Sequence, residues 1–249
     1  TTDERTGDLM HEVVNADFAL VEVDPLRKIL KPTQYPTHAR SGPDWLACAG
    51  NWMTEWERTG DTRWRDKIVT GMKDLAGMPG GLRTSLSFGY DPKTGHLYDV
   101  PDRQKTGQFV MIFGGAETAA ELGTLLDVPE WSKAWLDLCE EWARTGAGDM
   151  AGPRAAGFAA FAKNDPALGR RAWELMFKAG DGTGRERFPA RPAMAPPADV
   201  PLPVEEVMGD MATGHLSQWA LNIIETLELA GRWLPAGDPP PSNPSVRTP

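Results

Sequence analysis

Residues 43–61 read PDWLACAGNWMTEWERTGD, and this stretch decides the fold of the 249-residue chain. Its apolar residues recur every three to four positions, which is the period of an amphipathic α-helix. The pattern stops at Gly60, and Asp61 is suited to cap the amino end of the next helix. The stretch therefore predicts an α/α-hairpin, with one helix over 43–58 and a second over 62–76.

The same break between two helical patterns recurs further along the chain. Residues 127–129 read DVP and residues 164–166 read NDP, and a helical pattern lies on each side of both. Further helical patterns run from Gly107 to about Leu126, from Pro166 to Lys178 and over residues 214–231, and residues 180–202 are expected to be irregular. Stacked hairpins of this kind predict an all-α fold, an α/α toroid. The toroid is expected to be partial, because the helices are fewer than a closed ring needs; either it is incomplete or its other helices lie upstream of Thr1.

Two parts of the chain depart from the helical pattern. Residues 86–100 read LSFGYDPKTGHLYDV, which predicts a β-hairpin inserted between helices around a DPKTG turn. Residues 35–42 are expected to form an ordered loop that leads into a helix, because Pro36 and Pro43 disfavour helix in the residues before them.

The sequence predicts three parts. Residues 1–34 form an irregular amino-terminal segment in which 18–23 are extended, residues 35–234 form the α/α-toroid domain, and residues 235–249 form a disordered proline-rich tail. The chain begins with Thr1 and shows no signal-peptide pattern, so a secreted and a cytoplasmic location both stay open.

Composition excludes several classes of partner. The formal net charge of −9 argues against nucleic-acid binding and against attachment to anionic lipid, and no apolar run is long enough to span a membrane. The two cysteines, Cys48 and Cys139, lie far apart, so neither a zinc site nor a disulfide framework is expected.

Polar residues gather where the helical patterns begin. If the first helix of each hairpin lines the interior, the amino ends of these helices meet at one opening. The residues placed there are His38, Arg40, Asp44, Gln108, Arg154, His215 and Gln218, with Arg103 and Lys105 on the approach. Such cations, imidazoles and amides in an acidic protein suit a carboxylated sugar. Each residue also has a structural alternative; Asp44, for example, favours a helix start by charge alone.

Three stretches resemble a known family. Residues 38–45, 51–61 and 88–95 are similar to the exo-rhamnogalacturonan lyase family, and the likeness covers about 7–233. Members are larger proteins with a β-rich domain, an α/α toroid and a further domain. The resemblance therefore implies that this chain corresponds to the later part of the toroid and acts on an acidic, rhamnogalacturonan-like glycan by β-elimination.

This reaction needs a base at the carbon α to the carboxylate, a cation on the carboxylate and an acid at the leaving oxygen. The candidate catalytic residues are His38 or His215 as the base, Tyr35 or Tyr90 as the acid or the partner of the base, and Arg40 as a neutralising cation. The candidate substrate-binding residues are Arg154, a second possible neutraliser, with Gln108, Lys105, Trp45 and Gln218. No cofactor is expected, although the sequence leaves a divalent cation open.

Two other functions remain open from the sequence. A glycoside hydrolase of uronides on the same toroid would need two facing carboxylates, and Asp44, Asp99, Asp102 and Asp210 form no persuasive pair. A non-catalytic sugar-binding or scaffold module is the third alternative.

Overall fold

The computed structural model describes residues 4–83, 87–101, 114–146, 152–183 and 213–235. These residues fall into two compact units, divided between Glu141 and Trp142. The α-helices are α1 (Glu4–Glu12), α2 (Ala19–Glu22), α3 (Ala47–Thr59), α4 (Thr62–Gly77), α5 (Gly115–Leu125), α6 (Pro129–Thr145), α7 (Gly152–Lys163), α8 (Pro166–Thr183) and α9 (Thr213–Ala230). The strands are β1 (Thr37–Arg40), β2 (Ser87–Tyr90) and β3 (Leu97–Tyr98).

The hairpin of α3 and α4 forms as the sequence predicts. Gly60 takes the left-handed conformation with φ 72°, and its N–H donates to the carbonyl of Trp56. The Asp61 side chain then accepts the N–H of Arg63, which caps α4. The glycine releases the chain from one helix and the aspartate begins the next, so the turn is encoded locally.

The first unit also contains a small antiparallel sheet in the order β1-β2-β3. The predicted hairpin of β2 and β3 is present, but the expectation that residues 35–42 form only a loop is wrong. Residues 37–40 pair with β2, so that Thr37 lies opposite Tyr90 and Arg40 lies opposite Ser87. A strand of four residues carries too little periodicity of its own, and pairing with β2 is what makes it a strand.

The entry into α3 also differs from the prediction. A π-helical turn over Ser41–Leu46 precedes α3, where the sequence predicted regular helix from Pro43. Within this wide turn Asp44 accepts the backbone N–H of Arg40 at 2.8 Å. The Asp44 carboxylate thus links the end of β1 to the turn that leads into α3.

The amino-terminal segment is more helical than predicted. It contains α1, a 3₁₀ turn over Ala16–Phe18 and α2, so the expectation that residues 18–23 are extended is wrong. Long-range side-chain contacts hold it in place: the Trp52 indole N–H donates to the carbonyl of Val14. Tertiary contacts of this kind override weak local preference.

The second unit contains the last residues of α6 and the helices α7, α8 and α9. Its core contains small residues, which allow α7 to approach α9 closely; Gly157 lies where a Cβ would be 3.5 Å from the Cβ of Leu229. The buried residues of this core are Ala143, Ala156, Ala172, Leu175 and Ala230. Helix α8 ends at Thr183, beyond the predicted end at Lys178.

Three predictions fall on residues outside the described part. These are the start of the helix predicted from Gly107, the irregular stretch between α8 and α9, and residues 236–249 of the predicted tail. None of the helices in the described ranges combines the length and apolar character that a membrane crossing requires.

Candidate active site

Two candidate residues lie on one face of β1. Successive side chains along a strand point to opposite faces, so His38 and Arg40 share a face while Thr37 and Ala39 face the other side. Across the sheet, His38 pairs with Gly89, and Gly89 pairs with Tyr98. We call this side of the sheet, with His38, Arg40, Gly89 and Tyr98, the histidine face.

The imidazole of His38 is oriented by a carboxylate. Its Nδ1 atom lies 2.6 Å from Oδ2 of Asp24, and the other oxygen of Asp24 accepts the N–H of Leu26 at 2.7 Å. An ionised carboxylate can only accept, so Nδ1 carries the proton and Nε2 presents its lone pair. Nε2 makes no hydrogen bond to any residue of the described ranges. His38 is 1% exposed, so the imidazole is buried.

The guanidinium of Arg40 is fixed by Asp44. Nε of Arg40 donates to Oδ2 and Nη2 donates to Oδ1, both at 2.8 Å. Hydrogen bonding to Asp44 raises the pKa of Arg40, which keeps the group charged. The Arg40 side chain is 33% exposed, whereas Asp44 is nearly buried. The charge is therefore held in one place while part of the group reaches solvent.

A tyrosine pair completes the histidine face. The rings of Tyr35 and Tyr98 stack with centroids 4.0 Å apart and planes 4° apart. Tyr35 also lies so close to β2 that a Cβ on Gly89 would be 2.3 Å from its Cδ2, so only glycine fits at that position. The phenol oxygen of Tyr35 accepts a hydrogen bond from Gln34 at 3.1 Å. The apolar residues packed around Tyr35 are Leu26, Leu30 and Val100.

Comparison with known proteins decides the family. Residues 1–235 match the model of the PcRGLX-like protein C-terminal alpha/alpha toroid domain. The chain belongs to this family. It is a rhamnogalacturonan-lyase-like α/α toroid domain, which confirms the resemblance and the fold class drawn from the sequence.

The toroid domain also has a curated relative in Bacillus subtilis (strain 168), "Uncharacterized protein YetA". The two are 37% identical over 253 residues, which cover 95% of this chain and 29% of the relative. The chain thus spans less than a third of the length of that protein. The relative's name states no activity.

Tyr90 lies on the opposite side of the sheet from His38. It pairs with Thr37 and shares its face, and the Tyr90 hydroxyl donates to Oδ2 of Asp17 at 2.5 Å. The same oxygen accepts from Nζ of Lys67 at 2.6 Å. Burial and the charge of Asp17 raise the pKa of Tyr90, so its phenol stays protonated. The structure therefore groups Tyr35, and not Tyr90, with the histidine.

Trp45 is a core residue of the first unit of the toroid domain. It is 1% exposed, and its indole lies 2.4 Å from the place where a Cβ on Gly71 would stand. It also packs at a tilt against Trp131, with ring centroids 5.9 Å apart. A ring enclosed in this way has no face available for stacking on a sugar.

The other candidate residues lie in the second unit, or they are residues that the structure does not describe. Arg154 is 2% exposed in α7, and its Nε lies 3.9 Å from Oε2 of Glu225 in α9. His215 and Gln218 lie in α9, but their side chains are outside the described set, and Lys105 and Gln108 are outside it altogether. Across the described residues, no group of three or more His, Cys, Asp or Glu side chains is placed to hold a metal ion.

Three residues of the histidine face and its surroundings were missed from the sequence. Asp24 stands fourteen positions before His38 in a segment without periodicity. Tyr98 lies in the predicted β-hairpin without a predicted role, and Asp17 belongs to no motif. An alternation of side chains on β1 would have grouped His38 with Arg40, but only the register with β2 shows that Gly89 makes room for Tyr35.

Proposed function

We propose that this toroid domain contributes the catalytic site of a polysaccharide lyase that cleaves a uronate-containing, rhamnogalacturonan-like glycan by β-elimination. The observation that carries the proposal is the pairing on one strand face of an imidazole held by a carboxylate and a guanidinium two residues away. The rhamnogalacturonan-lyase-like family supports the substrate class. The activity, the substrate and any further part of the protein are proposals.

His38 acts as the general base in this scheme. Asp24 keeps the proton on Nδ1, so Nε2 removes the proton at C5 of the uronate and Asp24 stabilises the imidazolium that results. The electron pair from the C5–H bond forms the C4–C5 double bond as the C4–O bond breaks. Because His38 is 1% exposed, the uronate reaches Nε2 only when neighbouring residues move aside.

Arg40 neutralises the uronate carboxylate. Removal of the C5 proton places negative charge on that carboxylate, and a fixed cation lowers the energy of the intermediate. Asp44 accepts from Nε and Nη2, while Nη1 has no hydrogen bond to the described residues, so the outer edge of the guanidinium can donate to a second carboxylate. Asp44 thereby positions Arg40 and prevents it from rotating.

Tyr35 donates the proton to the leaving oxygen. Its phenol is half-buried on the same side of the sheet as His38, and stacking on Tyr98 restricts the ring. His215 remains a predicted alternative base, and Tyr90 is better accounted for as a partner of Asp17. Arg154, Gln108, Lys105 and Gln218 remain predicted substrate-binding residues.

The test is incubation of the chain with rhamnogalacturonan while ultraviolet absorbance reports the unsaturated uronate. His38→Gln is expected to lower kcat about 10²- to 10⁴-fold, as loss of a general base does. His96→Gln is the matched control, because His96 also binds an aspartate, with Nδ1 2.9 Å from Oδ2 of Asp74, but is exposed. Equal rates for His38→Gln and the unaltered chain contradict the proposal.

Arg40→Lys tests the cation separately. A lysine keeps the charge but loses the two-point contact with Asp44, so kcat should fall about 10²-fold while the chain stays folded. Reducing sugar without absorbance would indicate a hydrolase, and binding without either product would indicate a non-catalytic module. The structure gives the hydrolase little support, because Asp24 and Asp44 already hold His38 and Arg40.

A further inference from the structure

The segment from Asp17 to Asp24 connects the two faces of the sheet. Asp17 binds Tyr90, which lies on the face opposite the histidine face. Asp24 binds His38 on the histidine face itself. The segment therefore leads from one face of the sheet to the other.

The anchor at the start of this segment is deeply buried. Asp17 is 1% exposed and accepts from both Tyr90 and Lys67, and its other oxygen is buried without a hydrogen-bond partner among the described residues. The ammonium of Lys67 also lies over the ring of Trp52, 4.4 Å from its centroid. A buried carboxylate with an ammonium and a phenol as donors is costly to displace. Each of the three groups would stay buried but would lose the hydrogen bond that offsets its desolvation.

The middle of the segment is tied to the first residue of β1. Oγ1 of Thr37 donates to the carbonyl of Leu20 at 2.6 Å, and Leu20 lies in α2. At the far end, Arg27 donates to the carbonyl of Asp24 at 2.7 Å. The segment is therefore held at its start, at its middle and at its end, and its last carboxylate meets the imidazole.

We propose that Asp17 is a positioning residue for His38. It acts through the backbone of the segment, which carries Asp24 to the place where its carboxylate fixes the His38 tautomer. Asp17 itself stays on the far face, out of contact with the imidazole. The catalytic meaning of this role rests on the proposed lyase function, but the positioning itself is a property of the chain and can be measured without substrate.

Nuclear magnetic resonance of the imidazole nitrogens gives that measurement. In the unaltered chain, ¹⁵N-edited spectra over a pH series should show His38 as the Nδ1–H tautomer, and Asp24→Asn should abolish this preference. Asp17→Asn removes the charge that holds Lys67, so we expect the His38 signals to shift toward those of Asp24→Asn. The change should be smaller, because Asp24 itself is intact.

Glu55→Gln is the matched control. Glu55 is also a buried carboxylate that holds the amino-terminal region, since it lies 2.8 Å from Nδ1 of His11 in α1, but no described hydrogen bond or ion pair joins it to the Asp17–Asp24 segment. Its replacement should lower the melting temperature and leave the His38 signals unchanged. A folded Asp17→Asn with His38 signals like those of the unaltered chain would overturn the proposal.

A milder variant covers the case in which Asp17→Asn does not fold. Tyr90→Phe removes one of the two donors to Asp17 and keeps Lys67, so the His38 signals should shift in the same direction. If they do not, the proposal is wrong.

Activity provides the second readout. If the lyase function is correct, Asp17→Asn should lower kcat about 10- to 100-fold with little change in KM, since a displacement of about 1 Å far from the chemistry can cost about 10²-fold. A tautomer change in a chain without lyase activity would support the positioning role and reject the proposed function.

Discussion

The two faces of the small sheet use their aspartates differently. On one face, Asp17 is 1% exposed, and of its two donors Tyr90 is buried with it while the Lys67 side chain is 12% exposed. On the histidine face, the Asp24 side chain is 24% exposed and Arg40 is 33% exposed. Burial makes the first carboxylate an anchor, whereas partial exposure leaves the second carboxylate and the Arg40 guanidinium able to meet a ligand. One short sheet thus separates the group that stabilises the unit from the groups that could act.

The largest effect should come from the buried pair. Lys67→Met leaves the Asp17 carboxylate with Tyr90 alone, so we expect the free energy of unfolding to fall by about 3–5 kcal/mol in urea titrations. Lys133→Met is the control, because Lys133 pairs with Asp137 at the surface and is 76% exposed. That variant should lose less than about 1 kcal/mol. Equal losses of unfolding free energy in the two variants would show that the Asp17–Lys67 pair stabilises the protein no more than a surface ion pair does.

The next effect concerns the space that Gly89 leaves for Tyr35. Gly89→Ala places a methyl group 2.3 Å from the ring, so the tyrosine must move, at a cost of about 1–3 kcal/mol. Gly77→Ala has open space around it and should be neutral or slightly stabilising. Thermal unfolding of both variants gives the comparison.

A double variant shows whether the clash is the cause. Adding Tyr35→Ala to Gly89→Ala should recover part of the lost stability, because the methyl group then has room. If the losses of stability in Gly89→Ala and Tyr35→Ala simply add in the double variant, the clash with the Tyr35 ring is not what destabilises Gly89→Ala.

The third effect is a loss of stability in alkali. Burial and the charge of Asp17 raise the pKa of Cys48 from 9.0 to about 12. The unfolded thiol releases its proton near 9.0, so the unfolded state binds fewer protons between pH 9.0 and 12. This contribution to stability is complete below pH 9.0 and is lost as the pH rises toward 12. We expect about 1 kcal/mol per pH unit at the start of this range.

Urea titrations of the reduced protein over a pH series measure this loss. Cys48→Ala should show a shallower decline than the unaltered chain. Tyr90 adds to the decline at higher pH, since burial and Asp17 raise its pKa also. Identical declines for the two proteins would show that the surroundings of Asp17 do not oppose ionisation of the thiol.

The smallest effect should come from the exposed histidine. His96 is 50% exposed, and its aspartate, Asp74, also accepts the N–H of Leu97. His96→Gln should therefore change the free energy of unfolding by less than about 1 kcal/mol. A change as large as that of His38→Gln in the same assay would mean that exposure does not separate the two histidine–aspartate pairs.

The helical hairpins were predictable because their signals are local. Gly60 and Asp61 mark the turn between α3 and α4, and the spacing of apolar residues fixes which sides of the helices are buried. The strand β1 was not predictable in this way. Its partner β2 begins at Ser87, far along the chain, and four residues hold no clear alternation.

The candidate site was predictable in part, for a similar reason. His38 and Arg40 stand out by their chemistry. Asp24, in contrast, becomes a partner of His38 only when folding brings it against the histidine face. The same holds for Tyr90, whose side of the sheet depends on its register with Thr37. Residue type suggests what a group can do, but the contacts that orient it come from folding.

The way β1 ends has a consequence for association between molecules. An outer strand with unpaired backbone groups is a template on which another chain can add, which leads to aggregation or domain swapping. In β1 the N–H of Arg40 is already taken by the carboxylate of Asp44. A foreign strand would have to displace this charge-assisted hydrogen bond, so the end of β1 is protected from pairing with another chain.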